Sequence, residues 1–305
     1  MPHPNSSLWP SLAIAVIGAL WGQYWIPTRW MQAHGLGPAW MSLAIAAMVL
    51  AATLPALFAS RSSLKGLSLP GLVTGTLMSA SFALYSVSLI LTAVVTSILL
   101  FYLSPIWSTL LGVLLQGDKL RLPRVLALLL GLFGLAVTLG FEHGVPIPHQ
   151  LGDWLALIAG IVWAYGSLRS YSSPDAGILG SVLSFNIGAT LSASALILLL
   201  PASAAGAWPS LAVWQATLPG LAVLALLLVL PSTVALVWAT QRLPAPRVGI
   251  LLMTEIVAGT LSAALFANEP FGPRQIFGSM LIIAAGTVEV LGRAPKVELA
   301  GDVPT

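Results

Sequence analysis

Cysteine is absent from this 305-residue chain. That rules out disulfides, thiolate metal sites and cysteine nucleophiles, and leaves the redox compartment open. Charge is nearly as scarce: Asp, Glu, Lys and Arg make up 7% of residues, where soluble domains carry about a quarter. So few charges cannot coat a water-soluble sphere of this size, yet they suffice to cap helices that cross a bilayer. With 58% hydrophobic residues and a mean hydropathy of +0.96, the chain reads as an all-α membrane protein whose first partner is the lipid bilayer. The formal net charge of +3 comes from scattered Lys and Arg without a basic stripe, so nucleic acid is not expected as a partner.

Histidine is sparse too. His3, His34, His143 and His149 lie in tails or loops, and none has a second His or a carboxylate at metal-ligand spacing. No HExxH, GxSxG or Walker pattern occurs, and "GLFGLAVTLG" reads as a helix, not a phosphate loop. The expectation is a protein that is not an enzyme and has no metal and no cofactor. One rival is a membrane-embedded enzyme acting on a lipid or isoprenoid, which would need a cluster of acid and base residues inside the apolar runs. Another is a sensor or scaffold that transports nothing. The start, "MPHPNSSLW", lacks the basic region and small-residue cleavage site of a secretory signal, so the first apolar run reads as a retained helix.

What the chain does have is long apolar runs. A hydrocarbon core of ~30 Å needs about 20 helical residues, and ten runs meet that measure: 8–29, 38–59, 68–90, 94–116, 123–141, 152–170, 177–200, 217–240, 245–267 and 273–291. The third and fourth are joined near Thr92. "PASAAGAWPSLAVWQATLPG", ahead of run eight, reads as an interfacial stretch. With the N-terminus inside, Arg61, Lys65, Lys119, Arg121, Arg124, Arg169, Arg242, Arg247, Arg293 and Lys296 face the cytoplasm, and only Arg29 and Arg274 face outward. Short cytoplasmic loops accumulate Lys and Arg, so both termini are expected in the cytoplasm, with a mobile tail over 294–305.

The two halves repeat. "SPIWSTLLGVLLQGDKL" from Ser104 overlies "EIVAGTLSAALFANEPF" from Glu255 at an offset of 151 (255 minus 104). Thr109 then falls on Thr260, Leu110 on Leu261, Leu114 on Leu265 and Asp118 on Glu269, with Pro123-Arg124 and Pro273-Arg274 just beyond at 150. "ALWGQYW" around Trp21 resembles "IVWAYGS" around Trp163 more weakly. Five helices per half is an odd number, so the second unit enters from the opposite side. The expected architecture is two inverted five-helix repeats, 1–145 and 146–293, followed by the tail. Such repeats can exchange conformations around a midplane site, which is how secondary transporters work.

At this point "LWGQYW", "YLSPIWSTLLGVLLQGDKLRLPRVLALLLGLFGL" and "RLPAPRVGILLMTEIVAGTLSAALFANEPFGPRQIFGSMLIIAAG" resemble the drug/metabolite transporter superfamily, in its EamA-type branch of ten-helix bacterial carriers. Within the branch the chain is similar to amino-acid exporters of the YddG type. The resemblance implies a bacterial inner-membrane carrier exporting amino acids or similar small amphipathic metabolites, aromatic or apolar ones included. Proton coupling and the choice of monomer or homodimer stay open. One departure is evident: the family's usual Pro after the second-half Glu is Ile256 here, while the first half keeps Pro105 after Ser104. A mechanism that relies on matching kinks in both helices would have to do without a second proline.

Deep aromatic and polar residues supply the candidate substrate site. Trp21, Tyr24 and Trp25 share a helix face by their spacing, as do Phe82 and Tyr85. With Tyr102, Trp163 and Trp238 they would wall a central cavity suited to an apolar side chain and to cation–π contact with an amine. Asn186, Ser104, Ser232, Thr233, Thr254 and Glu255 are the polar groups at depth. Pro27, Pro105 and Pro231 are candidate kinks, and Arg29 a candidate outer gate or headgroup anchor. Runs five and ten, rich in Gly, should pack closely as a scaffold or at a dimer face. Glu289 can reach Arg293, four residues on. Glu255 is the one deep acid, and a charge there costs ~2.5–3.5 kcal/mol on insertion scales. Three roles are open to it: a carboxyl bonded to a neighbouring helix, a partner for a substrate amine or cation, or a proton-coupling site.

Overall fold

Helix accounts for 84% of the structure and no strand occurs among the described residues, as expected of a backbone that must satisfy its own polar groups away from water. The computed structural model describes residues 7–58, 64–140, 147–173, 177–200, 206–267 and 271–292. In chain order α1 is Leu8–Trp21, α2 Trp25–Ala33 and α3 Pro38–Thr53, with 3-10 turns at Leu54–Phe58 and Lys65–Leu67. Then come α4 Leu69–Leu91, α5 Val94–Phe101, α6 Ser104–Gln116, α7 Leu122–Leu139, α8 Leu151–Tyr171 and α9 Ile178–Leu199. The chain continues with α10 Leu211–Val223, a π-helical stretch Leu224–Val229, α11 Leu230–Thr240, α12 Ala245–Leu252, α13 Thr254–Ala267 and α14 Pro273–Leu291.

Eight of these stretches, with α5–α6, α10–α11 and α12–α13 each counted as one, are long and apolar enough to cross a membrane. This is the architecture of a multi-pass membrane protein. The first two expected runs fall short of that length. The first is broken at Gly22–Tyr24, and the helix of the second ends at Thr53. Run eight differs in the other direction. Its helix starts at Leu211, inside the expected interfacial stretch, because Ser210 caps it by accepting from the Val213 N–H (3.4 Å). Only 206–210 of that stretch is non-helical among the described residues.

Local chemistry fixes many of the helix ends. Prolines occupy the first turn of α3, α4, α6, α7, α12 and α14, where a missing N–H costs nothing. Asp153 closes the start of α8: its Oδ2 accepts from the N–H groups of His149 (2.9 Å) and Gln150 (3.2 Å), and its Oδ1 from the Thr92 hydroxyl (2.5 Å). This ties α8 to the α4–α5 turn.

Tertiary packing then orders the bundle. The α7–α14 pair, α4 against α8 and α9, α3 against α9, α1 against α13, and α6 against α8 and α12 are the main contacts. Runs five and ten do pack on each other. A Cβ on Gly134 would sit 2.8 Å from the Gly278 carbonyl, so these backbones meet as only small residues allow. Sidedness is consistent throughout. Gln241 bonds Ser181, Gln116 bonds Ser172 and Arg124 pairs with Glu289, gathering one set of helix ends together. Lys65, Lys119, Arg121, Arg124, Arg169, Arg242 and Arg247 lie at this end, which we call the basic end. Arg29 and Arg274 lie at the other. Glu289 thus has its partner across helices in Arg124 (3.6 Å), which also approaches Asp118 (3.9 Å). The expected local partner Arg293, with Arg61, Lys296, Glu269 and the tail over 294–305, lies outside the described residues.

Candidate functional site

Three helix breaks converge on one region. Pro27 has no N–H to give the Gln23 carbonyl, and the Ile26 N–H takes it instead (3.1 Å), so the turn tightens and α1 ends before α2 begins. Pro105 likewise leaves the Phe101 carbonyl without its helical donor, and α5 ends there. Gly160 of α8 packs over that oxygen, where a Cβ would approach to 2.7 Å. Between α12 and α13 there is no proline, yet the chain turns at Met253, whose N–H bonds Ile250 (3.2 Å) while Ile256 bonds back to Met253 (3.0 Å). The absent second proline therefore does not prevent a second break. Thr254 holds it, donating to the carbonyls of Ala15 in α1 (2.8 Å) and Leu251 (2.9 Å).

Glu255 stands in the first turn of α13, the end of a helix that favours negative charge. Its Oε2 accepts from the Tyr102 hydroxyl at 2.7 Å; the same hydroxyl lies 3.4 Å from the Leu252 carbonyl. Of the three roles open to Glu255, the one needing a neighbouring hydroxyl thus has its partner in place. Beside it α1 lies so close that a Cβ on Gly22 would meet the Glu255 carbonyl at 2.5 Å. Gln23 donates to the Ala258 carbonyl (3.1 Å) and Trp25 to the Ser262 hydroxyl (2.9 Å), zipping α1 and α2 onto α13.

Aromatic rings run through the same core. Trp21 meets Phe82 edge-on (5.1 Å), Phe82 meets Trp163 (5.1 Å) and Phe185 (6.3 Å), and Tyr85 stacks on Phe101 (4.4 Å), which abuts Tyr102 (5.4 Å). Offset and edge-on contacts of this kind suit the ring quadrupoles. Trp163 and Tyr102 are buried, whereas Trp21, Phe82, Tyr85 and Glu255 keep partial exposure.

Thus Trp21, Phe82, Tyr85, Tyr102, Trp163 and Glu255 come together. Trp238 packs at the rim of this cluster, capped by the Arg242 guanidinium 4.9 Å above its ring. Two expected site residues lie elsewhere. Tyr24 sits at the break, so it leaves the face of Trp21 and packs with Met31, Trp40 and Leu221 in a second core. Buried Asn186 faces α3, its amide reaching the Thr53 hydroxyl (3.5 Å). Arg29 is exposed, with its guanidinium 4.7 Å from the Trp25 ring. Pro231 follows the π-helical stretch and Pro105 packs on Gly249, while the turn associated with Pro27 falls at Gly22–Tyr24. Sequence reasoning missed Gln23, Phe185 and the irregular stretch after Pro219. Gln23 was visible as the polar residue inside "LWGQYW"; the local signal for the π-helical stretch is Pro231, two residues beyond its end.

No protein-family model and no curated protein matches the chain. Among solved structures 27 chains match. One, a protein crystal structure, is 21% identical and superposes with a TM-score of 0.72 over 94% of this chain and 96% of its own. At that identity the likeness speaks for the fold alone.

Proposed function

We propose that this chain is a secondary transporter that exports small amphipathic metabolites, amino acids first among them, by alternating access. On this reading ten spans form two inverted five-helix repeats, as in EamA-type carriers of the drug/metabolite transporter superfamily. The chain resides in a bacterial inner membrane with both termini cytoplasmic. The α1–α2 pair and α3 count as spans one and two, a broken one and a short one.

The observation that carries the reading is the pair of breaks. Phe101, the last residue of α5, and Leu252, the last of α12, are 151 positions apart (252 minus 101). That is the offset at which the two half-sequences align. Discontinuous spans near mid-membrane are where secondary carriers bind cargo, because half-helix ends offer unspent donors and acceptors inside the protein. Here the starts of α6 and α13 and the ends of α5 and α12 meet around Tyr102 and Glu255, with aromatic walls for an apolar side chain. Helix contacts also map onto one another when the halves are exchanged: α6 on α8 corresponds to α13 on α1, and α3–α9 and α7–α14 to themselves.

Counterflow into proteoliposomes with a panel of amino acids tests the reading, repeated with Glu255→Gln, with Trp163→Ala and under an imposed pH gradient. Saturable exchange of apolar or aromatic amino acids, lost with Trp163→Ala, is the expected result. No exchange of any panel member overturns it. Full, pH-independent flux with Glu255→Gln removes the proton-coupling role and leaves Glu255 a structural partner of Tyr102.

A further inference from the structure

A small cavity opens at the basic end, one side-chain layer away from the aromatic core. Its volume is about 80 Å³, and it lies between α4, α8, α9 and α11. Exposed Ser68 and Ser173 form the mouth, and Thr74, Ser170 and Ser181 add hydroxyls further in. At about 10–15 Å³ per water-sized sphere, a polar recess of 80 Å³ holds roughly five waters.

The inner wall changes character. It consists of Met78, Phe185 and Val237, which are 2%, 8% and 3% exposed and belong to the same buried cluster as Trp163 and Tyr102. Beyond them exposure returns, since Phe82, Tyr85 and Glu255 are each partly accessible. Two accessible spaces are thus parted by one apolar layer.

The same helix faces carry both spaces. Along α4, Gly71, Thr74, Met78, Phe82 and Tyr85 recur every three or four residues, so one stripe runs from the cavity to the aromatic site. Ser170, Gly166 and Trp163 do the same along α8. From Met78 to Phe82 is one helical turn, ~6 Å at 1.5 Å per residue. Phe185 bridges that turn, its ring 6.3 Å from Phe82. Met78 rests on Gly166, where a Cβ would come within 2.8 Å of its Cγ. At the other end the closure engages main chain: α1 approaches α13 at Gly18 and Gly22, and Gln23 and Trp25 donate across. Opening at the basic end therefore asks for rotamer changes in Phe185 and in Met78, a side chain with three rotatable bonds, whereas parting α1 from α13 moves whole helices.

We infer that this cavity is the entry vestibule of the cargo pathway at the basic end, and that Met78, Phe185 and Val237 are its side-chain gate. An apolar layer of this kind excludes water and ions until a side chain swings aside. The role as an entrance rests on the carrier reading above; the gate itself is measured without cargo.

Because the chain has no cysteine, each introduced thiol is the single target of a methanethiosulfonate reagent that transfers an ethylsulfonate group. In purified protein Ser170→Cys, in the vestibule, should react about tenfold faster than Ala164→Cys, which lies in the same helix off the cavity. Tyr85→Cys, behind the gate, should gain about tenfold in rate when Phe185→Ala is added. Met78→Ala should accelerate it as well, and so reports even if Phe185→Ala does not fold. Ala164→Cys should stay slow in both backgrounds. Equal rates at Ser170→Cys and Ala164→Cys would make the cavity a sealed recess. A Tyr85→Cys rate that ignores both gate substitutions, or that rises only together with Ala164→Cys, would remove the gate. Counterflow separates the two proposals. Modified Ser170→Cys should lose flux, while modified Leu120→Cys, in an exposed loop, keeps it. Normal flux after complete modification of Ser170→Cys sinks the vestibule alone. Unmodified wild type that carries nothing sinks the carrier reading, whatever the thiols report.

Discussion

The two broken spans, α5–α6 and α12–α13, are a natural experiment in how a membrane helix is interrupted. In the first the cause is local: Pro105 cannot donate to Phe101, so the helix stops wherever the rest of the protein happens to be. In the second nothing local forbids a continuous helix through Met253, since Ile256 has its N–H. The interruption there depends on α1, whose Ala15 carbonyl accepts from Thr254 and whose Gly18 and Gly22 let the two backbones approach. The difference teaches that a repeat can keep its geometry after losing the residue that encodes it in one copy, provided a neighbouring helix takes over.

The comparison breaks most severely at Gly22. A Cβ there would lie 2.5 Å from the Glu255 carbonyl and 2.7 Å from the Gly259 nitrogen. Backbone lies on both sides, so neither can rotate away. Gly22→Val should cost about 3 kcal/mol, read as a loss of monodisperse protein on size exclusion; a wild-type profile and melting temperature would show that the second break does not depend on α1.

Next in size is the bond that joins the two breaks. A double-mutant cycle of Tyr102→Phe and Glu255→Leu should give a coupling of about 1.5 kcal/mol in unfolding free energy, the upper end of the range for an ordinary intramolecular hydrogen bond. Additive effects of the two substitutions would mean that the breaks are held independently.

The proline contrast is smaller. Ile256→Pro should cost about 1 kcal/mol, because only its N–H bond to Met253 is lost in a turn already made, and it should leave counterflow close to wild type. Pro105→Ala should slow counterflow, since it restores a donor to the Phe101 carbonyl and lets α5 run on into α6. Equal effects of the two on flux would erase the distinction between local and tertiary interruption. Smallest of all, Thr254→Val removes one interhelical hydrogen bond and should cost about 0.6 kcal/mol by thermal unfolding.

Much of this was legible in the residues themselves. Pro105 announced the first break, "GLFGLAVTLG" and "GSMLIIAAG" announced the α7–α14 contact, and the depth of Glu255 left a carboxyl bonded to a neighbouring helix as one of three roles. The partner was not legible, because Tyr102 is 153 positions away and spacing rules reach only a few turns along one helix. Tyr24 shows the opposite failure. Its spacing placed it beside Trp21, and the break between them rotated it into another core. Nothing in the sequence around Gln241 singles it out as a buried residue. Only the meeting of α4, α8, α9 and α11 buries it.

The sequence by itself determined the membrane-spanning class, the extent of runs three to seven, nine and ten, and the excess of basic residues at one end. Each follows from composition or from periodicity within a single helix, which solvent and lipid read locally. Tertiary structure alone decided where α12 gives way to α13, which aromatic rings touch, and which hydroxyl holds Glu255. Those outcomes depend on how closely backbones far apart in the chain can approach, and that distance is set by small residues on both partners at once.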